Sequence, residues 1–389
     1  MSASALRDLV RGAEALCFDH AFPSVRAWKE RTRGLAIGYM PIDVPREVLH
    51  AQGCLPVGIV GGGEMEIIRG DAYYQSYICH IPRSTVEMGL GGALDVLDGM
   101  LFPSTCDVIR NLSGMWSMLF PGKLVRYMDA PQDFDPARGG VFLRDALESL
   151  ARDLEACGAR PLEPARLRAS IALYNENRRL VRDLYALRRA APWKVPTDEL
   201  YLVLRAGLVL PVEEHQALLR DYRRLVETAA DRRPLDQARV VVTGCFCEQP
   251  PLGLLRTLER SGCYIVDDDL IPIHRYLQGD VEAQGDPLDA LVRAYLEDVV
   301  AGPTRYIGED RKGRDLVERV RRSGAEGVIF CAASFCDPAL LDQPMIVRAV
   351  EASGIPWTAF KYSENSGQFQ VIREQAGTFA DSIKLWSGA

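Results

Sequence analysis

The sequence contains no run of about 18 apolar residues, the length a membrane-spanning helix needs, and no stretch of five consecutive Lys or Arg. Neither a bilayer nor a nucleic acid is therefore an expected partner, and the formal net charge of −7 agrees. The opening "MSASALRDLVRGAEALCFDH" is amphipathic and carries acidic residues, unlike a secretory leader. The protein is read as cytoplasmic. Only five histidines occur, each alone, and no Gly-x-Ser-x-Gly elbow is present, so no Ser-His-Asp machinery is visible. A Walker-type Gly-x-x-x-x-Gly-Lys-Ser/Thr is missing too. Gly61-Gly62-Gly63 in "VGGGEME" lacks the lysine that would meet β- and γ-phosphates, and it reads as a plain turn.

Cysteine is what the chain does have, ten in 389 residues. In a reducing compartment these do not read as five disulfides, so burial competes with thiol chemistry and metal ligation. Cys17, Cys157 and Cys263 sit in apolar helical or strand-edge patterns and are expected to be small buried hydrophobes. Short basic pieces, Arg232-Arg233 and residues 319–322, read as solvated helix faces.

The length exceeds what one core usually serves. Short apolar segments alternate with helical patterns, which predicts α/β architecture with parallel sheets. Strands are expected at 35–40, 55–60, 99–102 and 123–127, with helices at 45–52, 83–91 and 107–118. A second block repeats the pattern, with strands at 239–243, 263–266, 327–330 and 357–360. Its helices fall near 252–261, 288–300, 315–323 and 344–353. The middle is almost wholly helical. The expected organisation is two similar Rossmann-like domains, 1–139 with N-terminal helices and 234–389 with a C-terminal helix, joined by a helical bridge at 140–233.

In parallel sheets the functional loops follow the carboxyl ends of strands, because helices cover both faces. Cys106 in "LFPSTCDVIRN", Cys245 and Cys247 in "TGCFCEQPP" and Cys336 in "FCAASFCDP" all stand there. Cys106 and Cys336 each precede a helix, where the positive end of the dipole favours a thiolate. Cys79, in "SYICHIPRS", does the same. Three thiolates on three loops can meet at one metal centre, although separations of 27 and 230 residues match neither zinc-finger nor ferredoxin spacing. Cys245 and Cys247 form the rival pair, since a Cys-x-Cys in extended chain puts both thiols on one side. Ordinary thiols lining a cleft are the simpler reading of that pair. Cys331 reads as packed in its sheet, and Cys54 as lying at the opposite rim. His80, beside Cys79, reads as a locally satisfied residue that can also reach a sulfur.

As a set, "IGYMPIDVPREVLHAQGCLPVGIVG", "YICHIPRS", "LFPSTCDVIRNL", "SGCYIVDDDL" and "SFCDPALLDQPMIVRAVEASGIPWTAF" resemble, in this order, the 2-hydroxyacyl-CoA dehydratase and benzoyl-CoA reductase family. The resemblance implies that Cys79, Cys106 and Cys336 hold a [4Fe-4S] cluster. "NLSGMWSMLFPGK" and "TAFKYSENSGQFQVIREQAGTFADSI" are most similar to the smaller cluster-bearing subunit of the ATP-dependent reductases within it. In the dehydratase form, Gly-Gln at 367–368 is followed by a Thr-Arg pair, and here Val371-Ile372 stands instead. The implied partners are a larger homologous cluster-bearing subunit, an ATPase pair that activates electrons, ferredoxin indirectly, and an aromatic acyl-CoA substrate. A subunit of a 2-hydroxyacyl-CoA dehydratase, a radical lyase, is the alternative.

Overall fold

The structure, a computed structural model, describes residues 2–40, 42–63, 65–245, 247–270, 275–303, 305, 311–363 and 369–386. The Gly-Gln pair at 367–368 and Glu64 of "VGGGEME" lie outside the described residues. Strands form at the short, mainly apolar segments: β1 (Ala36–Tyr39), β2 (Leu55–Gly58), β3 (Gly99–Pro103) and β4 (Leu124–Met128), then β5 (Ala238–Thr243), β6 (Cys263–Asp268), β7 (Gly327–Ala333) and β8 (Trp357–Tyr362). They make two all-parallel four-stranded sheets, β2-β1-β3-β4 and β6-β5-β7-β8. The winding is the same in both, as the two-block pattern predicts.

β1, β2, β3, β6 and β7 are buried along their whole length, as strands covered on both faces must be. The edge strands β4 and β8 are only half-buried and carry Arg126 and Lys361, charges that discourage edge pairing.

In the first half the helices are α1 (Ser2–Phe18), α2 (Pro23–Thr32), α3 (Arg46–Ala51), α4 (His80–Leu90) and α5 (Asp107–Leu119). The middle holds α6 (Val141–Ala156), α7 (Pro164–Ala190), α8 (Thr197–Arg205) and α9 (Val212–Glu227). After it come α10 (Leu252–Arg260), α11 (Pro287–Asp298), α12 (Arg314–Ser323), α13 (Asp337–Ala352) and α14 (Gln370–Trp386). α7 begins on Pro164, whose missing N–H costs nothing in a first turn, and stops before the Ala191-Pro192 step. Among the described residues no helix is long and apolar enough to cross a membrane.

α11 departs from the sequence pattern. It lies between β6 and β7 in the chain, yet it packs on α6 and α7. Its Leu288, Leu291 and Tyr295 share a core with Ile37, Leu101 and Met128 of the first sheet. Periodicity gave the helix and its apolar face without specifying which sheet that face would cover. A second core, containing Val57, Phe102, Tyr185, Leu202, Val240 and Ile329, runs from one sheet through the middle helices to the other.

α7 carries the charges that fasten these parts. Arg178 pairs with Glu47 of α3, and Arg188 with Asp268 at the end of β6. Both side chains of the second pair are fully buried, and Tyr185 also donates to Asp268 at 3.0 Å. Two of the basic pieces read as solvated are tied down as well. Arg232 pairs with Glu199, and Arg319 with Asp267 at 2.8 Å. Arg232-Arg233 lie in irregular chain between α9 and β5 rather than on the expected helix face, whereas 319–322 do lie on α12, where Arg321 and Arg322 remain exposed.

Two measurements test these contacts. Arg188→Met strands the Asp268 carboxylate in the core and should cost about 3–5 kcal/mol in urea unfolding. Adding Asp268→Asn should recover part of that loss. Half-buried Glu259 accepts from the Thr197 amide and hydroxyl at the start of α8, at 3.1 and 2.8 Å, and desolvation of its carboxyl pushes it up to about 7. Its protonated form is the one the fold prefers, so its contribution is complete below the ordinary carboxylate range and is lost as pH rises through about 7. In Glu259→Gln, melting temperature should fall less between pH 5 and 8 than in the parent.

Candidate metal centre

The carboxyl rims of the two sheets bring thiols together. Cys106 and Cys336 stand three residues past the ends of β3 and β7, at equivalent places in the two windings, and they are the N-caps of α5 and α13. Cys79 ends the long loop after β2 and is the N-cap of α4. That loop is fastened to its helix. The Glu87 carboxylate accepts from the amides of Ile68 and Gly70, both at 2.9 Å, and Gly62 N–H donates to Ser84 Oγ at 3.0 Å. Gly61, at φ +81°, allows this approach, because a Cβ there would meet Ser84 Oγ at 2.6 Å. The triple glycine is thus a packing turn, as its missing lysine predicts.

Burial raises all three thiols, Cys336 to about 12. Further causes reveal what each faces. Cys79 feels Glu248, Cys106 and Cys336, and Cys336 feels Glu248, Cys106 and the opposing cation Arg275. First-turn amides pull the other way without closing a capping hydrogen bond: Ile81 on Cys79, Ile109 and Val108 on Cys106, and Ala339 on Cys336. The positive ends of three helices are therefore aimed at one group of sulfurs.

A fourth thiol belongs to the same group. Cys247 is raised by burial and then by Cys336 and Cys106, with Arg275 opposing and Cys79 adding. The sequence pattern puts Cys247 on the correct rim but couples it to Cys245. The structure separates the pair. Gly244, at φ +102°, turns the chain, and Cys245 Sγ enters the core to donate to the Cys331 carbonyl at 3.0 Å. Strand-end position, rather than Cys-x-Cys spacing, is the signal that locates Cys247. Among the described residues, no three His, Cys, Asp or Glu side chains are gathered tightly enough to hold a single metal ion.

One oxygen beside the sulfurs has no partner. The Tyr74 hydroxyl is buried, faces Cys79 and Cys106, and is raised by burial. The buried Thr105 side chain is instead a hydrogen-bond partner of the Cys106 sulfur and works against the effect of burial on it. Behind the Cys247 segment opens a cavity of about 480 Å³ lined by Gly62, Met65, Arg205, Gln249 and Arg256.

The remaining cysteines divide differently from the sequence expectation. Cys54, Cys263 and Cys331 are buried, and Cys17 donates to the Leu202 carbonyl at 3.3 Å. Cys157 is exposed. It caps the C-terminus of α6, beyond the buried Leu154, so the apolar stripe ends before it. His80 is buried in the first turn of α4.

Residues 41–383 match the family described as 2-hydroxyglutaryl-CoA dehydratase, D-component. The chain belongs to this family. A benzoyl-CoA reductase subunit of Thauera aromatica is 54% identical over 98% of this chain and 99% of that protein. Lactoyl-CoA dehydratase subunit beta of Anaerotignum propionicum is 28% identical over 92% of this chain and 94% of its own. The (R)-2-hydroxyglutaryl-CoA dehydratase subunit beta of Acidaminococcus fermentans is 29% identical over 93% and 96%. Family membership agrees with the order of motifs from Ile37 to Phe360, and the relatives are subunits of larger enzymes.

Exposure separates Cys157 from the four clustered thiols. In the metal-free protein at neutral pH, iodoacetamide should label Cys157 before Cys79, Cys106, Cys247 and Cys336, as read by peptide mass spectrometry. Equal labelling rates would contradict the burial described.

Proposed function

We propose that this chain is the smaller of two homologous cluster-bearing subunits of an ATP-dependent benzoyl-CoA reductase. It takes part in the low-potential electron transfer that adds two electrons and two protons to the ring, giving a cyclohexadiene-carbonyl-CoA. The observation that carries the reading is the 54% identity to a reductase subunit along nearly the whole of both chains, against 28% and 29% for dehydratase beta subunits.

The donor set fits the cofactor. Cys79, Cys106 and Cys336 are soft thiols on three separate loops, backed by three helix N-termini, with the orphan Tyr74 hydroxyl aimed among them. These three cysteines would hold a [4Fe-4S] cluster. Bound there, it would supply one-electron reducing power toward the low end of the cluster range, about −700 mV, which breaking ring aromaticity demands.

This chain's residues provide the surroundings. The helix amides offset the negative charge of the sulfurs, and burial keeps water from them. The partnerless Tyr74 hydroxyl is placed to donate to a group bound there. Tyr77 and Phe335, 64% and 46% exposed and adjoining the Cys79 and Cys336 segments, form an apolar rim suited to a partner subunit. That partner is the larger homologous subunit. The chain has no phosphate-binding loop, so ATP acts on a separate ATPase pair, which ferredoxin supplies with electrons in the cytoplasm.

Replacing Cys79, Cys106 or Cys336 with serine should strip or convert the cluster in anaerobically purified protein, read as iron and acid-labile sulfide per chain. Cys245→Ser and Cys331→Ser should leave both counts unchanged. Tyr77→Ser with Phe335→Ser should weaken co-purification of the larger subunit while preserving iron. With all partners and ATP present, benzoyl-CoA should be reduced, whereas turnover of a 2-hydroxyacyl-CoA instead would assign the chain to a dehydratase.

A further inference from the structure

Each sheet contributes two thiols to the candidate centre. Cys79 and Cys106 follow β2 and β3, while Cys247 and Cys336 follow β5 and β7. β5 and β7 are neighbours, and between them the order of the second sheet reverses. Cys247 and Cys336 therefore stand on either side of the crevice where such sheets place ligands.

The Cys247 segment is held from several sides. The Cys245 carbonyl accepts from Arg275, the Cys247 carbonyl from Gln249 Nε2 at 3.3 Å, and the Glu248 carbonyl from the Tyr362 hydroxyl at 2.7 Å. With Cys245 Sγ committed to the Cys331 carbonyl, the segment offers one sulfur to the shared space. That sulfur is within electrostatic reach of Cys336, Cys106 and Cys79.

Resting on the reading that this space holds a [4Fe-4S] cluster, we infer that Cys247 is its fourth thiolate ligand, which closes the centre to substrate. Glu248 also faces Cys79 and Cys336, but a carboxylate is a harder donor than iron-sulfur sites select. Arg275 acts on both Cys247 and Cys336 and balances part of the added negative charge. A site closed by four thiolates passes electrons without binding the thioester. An additional buried anion also makes reduction harder, which suits a donor to a very low-potential acceptor.

The test uses the full chain with its partner subunits, purified without oxygen, and compares the parent with Cys247→Ala, Cys247→Ser and Glu248→Gln. The parent's reduced electron paramagnetic resonance signal should ignore added cyanide, and its Mössbauer spectrum should lack a distinct non-thiolate iron. Cys247→Ala should keep about four irons, respond to cyanide, and show a raised midpoint potential. Loss of iron from Cys247→Ala, with the melting temperature of its metal-free form unchanged, would equally identify a ligand. Glu248→Gln should retain the parent's spectrum. The inference is overturned if the parent binds cyanide at iron, or if both Cys247 variants keep its spectrum and potential. Absence of iron and sulfide from the parent, or full retention in Cys336→Ser, would instead overturn the reading on which it rests.

Discussion

Four sulfurs buried within electrostatic reach of one another cannot all ionise without positive charge among them. Each of the four thiols is raised by burial, and for Cys79, Cys247 and Cys336 the neighbouring sulfurs add to the effect. A bound metal group would reverse this balance, because it would displace the protons and supply the missing charge. The three helix N-termini and Arg275 contribute in the same direction. The surrounding fold can be understood as what is required to bring these sulfurs together.

Parallel winding supplies half of that requirement. Since each strand must return by a crossover, the carboxyl ends of a sheet lie along one rim, and Cys106 and Cys336 occupy equivalent positions on two such rims. Bringing the rims face to face is the task of α7. Arg178 holds α3 near the first sheet, and Arg188 holds the end of β6 in the second. Each pair is buried, and each would leave an uncompensated charge if the helix shifted, so the ion pairs fix register between the halves more than they add stability.

The strands buried on both faces are legible in the sequence as short apolar runs, and the half-buried edge strands β4 and β8 through the repeat of the same strand-and-helix spacing in two blocks. Cys106 and Cys336 are legible through their repeated strand-end setting. Cys247 is harder to place, because Cys-x-Cys spacing couples it to Cys245, whose sulfur is committed to the distant Cys331 carbonyl. Cys157 falls outside its predicted class because a helical stripe gives no warning of where the helix ends. The destinations of Arg232 and Arg319 depend on carboxylates distant in sequence, Glu199 and Asp267, which no local window contains.

The excursion of α11 has a consequence for how the chain is made. The core on one side of the first sheet is completed, over α6 and α7, by a helix that ends at Asp298, far beyond the last strand of that sheet at Met128. During synthesis α3 and α6 can cover Ile37, Leu101 and Met128 early, but about three-quarters of the polypeptide must emerge before α11 can pack on α6 and α7 and finish that core. A gene cut between the two sheets would thus yield a first fragment in which the apolar faces of α6 and α7 lack the helix that closes them.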